Sequence, residues 1–364
     1  MFDNIRPLTD AELPEALAQI AASPLLTPIA RFVYPDREPA VLAAKLANTA
    51  DIHTMQDTVM RDAVERIIDS SITDFTHSGT DLLIPSRPYL FISNHRDIAL
   101  DALLLQYLLF EYNDLYVTFG ANLMQDQIIT LIGRANRMFR VERGGTPKEF
   151  YRNMLQVSQY IRQVITADSH SVWIAQRNGR TKDGRDRTEV SLLKMLALSG
   201  RATREAPLMP LKALNIVPVS ISYEWEPCDL LKAHELHMRS IGPYRKAKGE
   251  DMNSVLTGIL QPKGHVHLSV TAPLTDEEID RCSATDSPFE NLAALIDRRI
   301  LSAYRLHATN FTAYDIKHHA TRFADNYSPT LRDNFTARLR GIASIERSIL
   351  LDIYSHPVEE IYRG

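Results

Sequence analysis

From residue 89 onward the chain alternates between two kinds of segment, and this narrows the possible folds more than any other feature. Short apolar runs of strand character occur at 89–93, 115–119, 171–176, 216–223 and 265–271. Helical stretches lie between them, the clearest at 147–167. There Thr146-Pro147-Lys148-Glu149 supplies an N-cap, a proline at the first helical position and a glutamate three residues past the cap. Phe150, Met154, Val157, Ile161 and Ile165 then fall on one face. Such alternation predicts an α/β domain with a largely parallel sheet flanked by helices. Ligand sites in such sheets lie at the carboxyl ends of the strands.

The flanks read differently. Residues 1–80 form an expected N-terminal helical region, with a helix start at Thr9-Asp10-Ala11-Glu12 and apolar positions at helical spacing through Ile20, Leu25, Ile29 and Phe32. Residues 81–305 are the expected α/β domain, and 306–364 a helical C-terminal extension. No repeat or low-complexity segment interrupts them.

Composition excludes several classes. A net charge of -4 argues against nucleic acid as the main partner. Cys228 and Cys282 form no metal or disulfide spacing, which suits a reducing compartment. The start, Met-Phe-Asp-Asn-Ile-Arg-Pro, lacks the pattern of a signal peptide. No run reaches the ~18 apolar residues of a spanning helix. The expected location is therefore cytoplasmic, with any membrane contact peripheral at the inner face of the cell membrane. His318-His319 has no clustered carboxylate or cysteine and reads as a surface pair, so no metal site is expected. His265 and His267 alternate along a strand and should share one half-exposed face, while Trp173 reads as core packing.

The segment Leu90-Phe91-Ile92-Ser93-Asn94-His95-Arg96-Asp97-Ile98-Ala99-Leu100-Asp101 carries the chemistry. It reads as a strand, a break at Ser-Asn-His and an apolar helix running to about Tyr112. A histidine at such a junction can reach into a cleft. Asp101 is the only carboxylate inside Ile98-Ala-Leu-Asp-Ala-Leu-Leu-Leu, where an unpaired charge would be costly to bury. His95 is its nearest candidate partner. A carboxylate on one imidazole nitrogen sets the tautomer and leaves the other nitrogen free to take a proton. Asp97 competes for this role, but as the residue before the helical run it has a local use as N-cap. No serine or cysteine nucleophile pattern accompanies the pair, so the natural proton donor is a substrate hydroxyl.

Two basic clusters follow. Arg134, Arg137, Arg140 and Arg143 end in Phe139-Arg140-Val141-Glu142-Arg143-Gly144-Gly145, and Arg177, Arg180, Lys182, Arg185 and Arg187 begin straight after Val172-Trp173-Ile174-Ala175. Arginine forks suit phosphate oxygens, and glycines let the backbone approach them. By charge patterning alone, each cluster reads as a solvated loop at least as readily as a ligand site.

Taken in order, these segments resemble the glycerolipid acyltransferases, which acylate glycerol 3-phosphate or lysophosphatidate through a His-Asp dyad. Phe139-Arg-Val-Glu-Arg143 is similar to the family's second block. Arg177-Asn178-Gly179-Arg180-Thr181-Lys182-Asp183-Gly184-Arg185 is similar to the third, and Ile216-Val-Pro-Val-Ser-Ile-Ser-Tyr223-Glu224 to the fourth. The resemblance implies a glycerol-3-phosphate acyltransferase-like fold and an O-acyltransferase of phospholipid synthesis, with His95 as general base and Asp101 as its partner. It implies acceptor phosphate binding by Arg143, Gly179, Arg180 and Lys182. The acyl donor would be acyl-coenzyme A or acyl carrier protein, with no other cofactor. Two departures stand out. The family's aspartate lies five residues after the histidine, where this chain has Leu100, and the acidic residue that opens the third block is missing. They keep open acylation of another lysolipid, or a catalytically inactive lipid- or acyl-carrier-binding protein. The basic stretch from His237 to Lys248 reads as a solvated loop or as a contact for anionic lipid or an acidic carrier.

Overall fold

The computed structural model describes residues 2–363 except 125, 143 and 204. Seven strands form one sheet: β1 (Ile72–Ser78), β2 (Leu90–Ser93), β3 (Leu115–Gly120), β4 (Met138–Val141), β5 (Ser171–Ala175), β6 (Ile216–Tyr223) and β7 (Gly264–Val270). Their spatial order is β1-β7-β6-β2-β5-β3-β4. Every pairing is parallel except β6 with β7. This is the α/β architecture that the alternation predicts. The central strands β2, β5 and β6 are buried along their whole length, as expected where helices cover both faces.

One face packs against the Pro147–Thr166 and Pro288–Ala303 helices through Leu90, Ile92, Val172, Ile216, Ile161 and Ile296. The Pro147–Thr166 helix opens with the expected capping box between Thr146 and Glu149. The other face packs against the Arg61–Ser71 and Leu100–Leu109 helices through Phe91, Val217, Val219, Ile67 and Leu104.

One boundary differs from the sequence reading. The N-terminal region does not run to residue 80, because Ile72–Ser78 is already a strand of the sheet. β1 is an edge strand with only Ile72 fully buried, so it lacks the apolar run that marks the central strands. β4, at the opposite edge, is also absent from that reading, because it is only four residues long and is interrupted by the exposed Arg140. Its outer side is partly covered, since Arg140 N donates to Ile5 O at 2.9 Å. The C-terminal helical extension packs back on the α/β domain. Gly184, at φ +78°, sits where a Cβ would lie 2.2 Å from Ile353 O, so the second basic cluster and the Ser344–Ile361 helix meet backbone to backbone.

No single helix among the described residues is long and apolar enough to cross a membrane. The Leu13–Ala21 and Leu26–Val33 helices satisfy that measure only together, across a 90° bend.

Candidate active site

The loop after β2 carries His95 to the carboxyl edge of the sheet. Asp101 sits in the first turn of the Leu100–Leu109 helix, fully buried, and its Oδ2 lies 2.9 Å from His95 Nδ1. The same oxygen accepts from Arg96 N at 2.6 Å and Asp97 N at 2.9 Å, and Oδ1 accepts from Tyr223 OH at 2.7 Å. A buried carboxylate with this many hydrogen-bond partners is held in one orientation. Burial, reinforced by the neighbouring Asp101 charge, pushes the Tyr223 phenol well above its usual range, so it remains a donor.

Asp97 takes the other role. Its Oδ1 accepts from Ala99 N and Leu100 N, both at 2.9 Å, which caps the helix start. Thus the carboxylate on His95 is Asp101. Imidazole Nδ1 donates to it, and Nε2 is left for substrate. The ring is 13% exposed and stands edge-on to Trp173, with centroids 5.6 Å apart. Trp173 donates through Nε1 to Ser93 Oγ at 2.9 Å. It is therefore both core and cleft wall, which its apolar sequence context did not suggest.

His95 opens into a cleft of about 650 Å³, lined also by Phe119, Gly120, Asn122, Gly179, Arg180, Lys182, Lys246 and Asp251. Gly179 has φ +80°, a backbone state that favours glycine, and a Cβ there would meet nothing. Arg180 is buried, yet its Nη1 has no hydrogen-bond partner. Arg180 is also one of the residues that line the cleft, and a guanidinium there suits an anionic ligand. Lys182 is more committed: Nζ lies 2.5 Å from Glu235 Oε1, and burial lowers its pKa despite that partner. Arg143, the remaining expected phosphate ligand, lies outside the described residues.

Behind the loop is a buried ionic network absent from the sequence reading. Arg96 Nη2 lies 2.6 Å from Asp186 Oδ2, and Arg96 Nη1 3.4 Å from Glu226 Oε2. Lys232 Nζ donates to Glu226 Oε1 and to Arg96 O, each at 2.6 Å. Burial opposes the Arg96 charge, but Asp186, Tyr304 and Glu226 outweigh it and hold its pKa well above the usual value. Asn94 exchanges hydrogen bonds with Ile221 O and N, and Thr181 N donates to His95 O at 2.7 Å. Together these contacts tie the His95 loop to β6 and to the Gly179–Arg180 loop. Breaking one member of such a network costs more than an exposed pair would.

A histidine at a strand end, hydrogen-bonded to a buried carboxylate, thus faces a cleft that also carries Arg180, Lys182 and Lys246. Residues 74–222, which include this site, match the family model described as Acyltransferase. Among solved structures, it is similar to the 1-acyl-sn-glycerophosphate (LPA) acyltransferase PlsC of Thermotoga maritima, with 13% identity and a TM-score of 0.38 over 80% of this chain and 95% of that one. No curated protein matches.

Proposed function

We propose that this protein transfers a fatty acyl chain from a thioester, carried on coenzyme A or acyl carrier protein, to a hydroxyl of a phosphate-bearing glycerol acceptor. Glycerol 3-phosphate and lysophosphatidate are the acceptors in view. The observation that carries this reading is the His95–Asp101 pair at 2.9 Å with Nε2 directed to the Arg180 cleft.

His95 Nε2 takes the proton from the acceptor hydroxyl as its oxygen bonds to the thioester carbonyl carbon. The tetrahedral intermediate then collapses, the C–S bond breaks, and the proton passes from His95 to the departing thiolate. Asp101 keeps the imidazole in the needed tautomer and stabilises its cation while the proton is held. Arg180 Nη1 binds a phosphate oxygen, Gly179 leaves room for the backbone to approach it, and Lys182, already paired with Glu235, adds positive potential at the rim.

A second acceptor class has one observation in its favour. Asp251 lines the same cleft beside Lys246, so a lysolipid bearing both an amine and an anion also has complementary partners there. The deciding experiment mixes the protein with an acyl thioester and one acceptor at a time: glycerol 3-phosphate, lysophosphatidate or an amine-bearing lysolipid. Free thiol is followed, and the acylated product is identified. Thiol release that needs a phosphate-bearing acceptor supports the reading. Release without any acceptor means a thioesterase, and none with any acceptor means an inactive binding protein.

A further inference from the structure

The Glu250–Leu260 helix, in the connection between β6 and β7, packs inward through Ser254, Gly258 and the half-buried Ile259, yet carries large apolar residues on its outward face as well. Its buried residues are Ser254 and Gly258. Gly258 is required by the contact it makes, because a Cβ there would lie 2.1 Å from Asp97 Oδ2. The helix is thus pressed by its small-residue face against the loop that caps the Asp101 helix. The opposite face carries Met252, Leu256 and Leu260, which are 37%, 51% and 58% exposed. At i, i+4 and i+8 they form one continuous stripe. A helix that faces water normally buries its large apolar residues and exposes its polar ones.

The segment leading into this helix supplies the second observation. Ile241 is 66% exposed, and Arg239, Arg245, Lys246 and Lys248 are all exposed around it. Arg239 pairs with Glu235, and Lys246 with Asp251. Arg245 and Lys248 have no carboxylate partner among the described residues. This concentration of positive charge stands out on a chain of net charge -4. Lys246 and Asp251 also line the His95 cleft, so the stripe and the free cations border its mouth.

We infer that this helix and the loop before it dock on a bilayer carrying anionic headgroups. Met252, Leu256 and Leu260 enter the boundary between headgroups and acyl chains, and Arg245 and Lys248 meet the lipid phosphates. An apolar stripe rimmed by cations is the composition of a helix that lies in a membrane interface. An acidic acyl carrier would satisfy the cations but leave the stripe uncovered. A second copy of this chain would bring like charges together. The consequence for catalysis, which rests on the acyltransferase reading above, is that the cleft opens at the bilayer surface and lipid acceptor and product exchange there.

The test uses the full chain and sedimented vesicles of phosphatidylcholine, with and without an equal part of phosphatidylglycerol. Wild type is expected to bind the anionic vesicles and to leave the neutral ones largely in solution. Leu256→Ser/Leu260→Ser should weaken binding about tenfold or more, and Arg245→Ala/Lys248→Ala about tenfold. Both should keep the wild-type Tm and wild-type turnover of water-soluble glycerol 3-phosphate. In a Leu256→Trp variant, the new indole should shift to the blue on anionic vesicles and be quenched by bromolipids. The inference is overturned if wild type fails to bind anionic vesicles or if the double variants bind as wild type does. It is equally overturned if the variants lose only self-association or only binding to an acidic carrier protein. Absent turnover with intact vesicle binding would remove the acyltransferase reading and leave the docking surface standing.

Discussion

The molecule places histidines in two settings, at opposite ends of its chemistry. His95 hydrogen-bonds a buried carboxylate and keeps one ring nitrogen on a cleft. On the β1–β7 side of the sheet, His265 and His267 instead share the hydroxyl of Thr76 at 2.6 and 2.7 Å, and His307 reaches Ser222 Oγ at 3.2 Å. Burial, together with the positive charge of Arg305 and the neighbouring rings, drives His267 down to about 4 and His307 to about 3. Hydroxyl partners can satisfy a neutral ring but cannot balance a charged one. Burial with only hydroxyl partners keeps His267 and His307 neutral, whereas His95 is the ring set against a buried carboxylate.

The comparison breaks most sharply at His95. His95→Ala should lower acyl transfer by about 100- to 10,000-fold while the thermal transition stays near wild type. Turnover at the wild-type rate would remove His95 from the mechanism. Asp101→Asn should cost about a hundredfold or more, because an amide can offer its NH2 to Nδ1 and reverse the tautomer. Asp97→Asn should be mild, since asparagine caps nearly as well. If the two aspartates exchange these outcomes in steady-state assays, the dyad assignment must be reversed.

On the proposed function, Arg180→Ala should remove a phosphate contact rather than the base. The acceptor KM should rise by a factor matching about 1.5–3 kcal/mol, with the donor KM nearly unchanged. An equal rise in both constants would point to a folding defect or to a carrier site.

The smallest effect belongs to the second histidine setting. His307 is depressed in the fold, so its stabilising contribution is complete above the unfolded value near 6.5. It is lost progressively as the pH falls from there toward about 3. At pH 5 this should cost wild type about 2 kcal/mol relative to pH 7.5. His307→Asn should lose less stability over that interval and keep normal turnover, read by denaturant titration at the two pH values. A variant as acid-sensitive as wild type would show that another group governs the acid limb.

What could be read from the residues alone was whatever is local in the chain. The central strands announced themselves because burial on both faces demands continuous apolar runs, as in Ile216–Tyr223. The edge strands did not: β1 is largely solvated and tolerates Asp74 and Thr76, and β4 is only four residues long with Arg140 exposed among them. Asp101 was legible as a partner for His95 because six residues and a costly burial separate it from any other explanation. Tertiary structure alone decided the rest. Arg96 meets Asp186 and Glu226 across 90 and 130 residues of sequence, and Tyr223 reaches Asp101 across 122. Spacing along the chain carries no trace of such pairs, which arise only when the sheet brings the ends of β2, β5 and β6 side by side. The same holds for the outward face of the Glu250–Leu260 helix. Its periodicity is visible in sequence, but which side is buried depends on what it packs against, and that is the Asp97 loop.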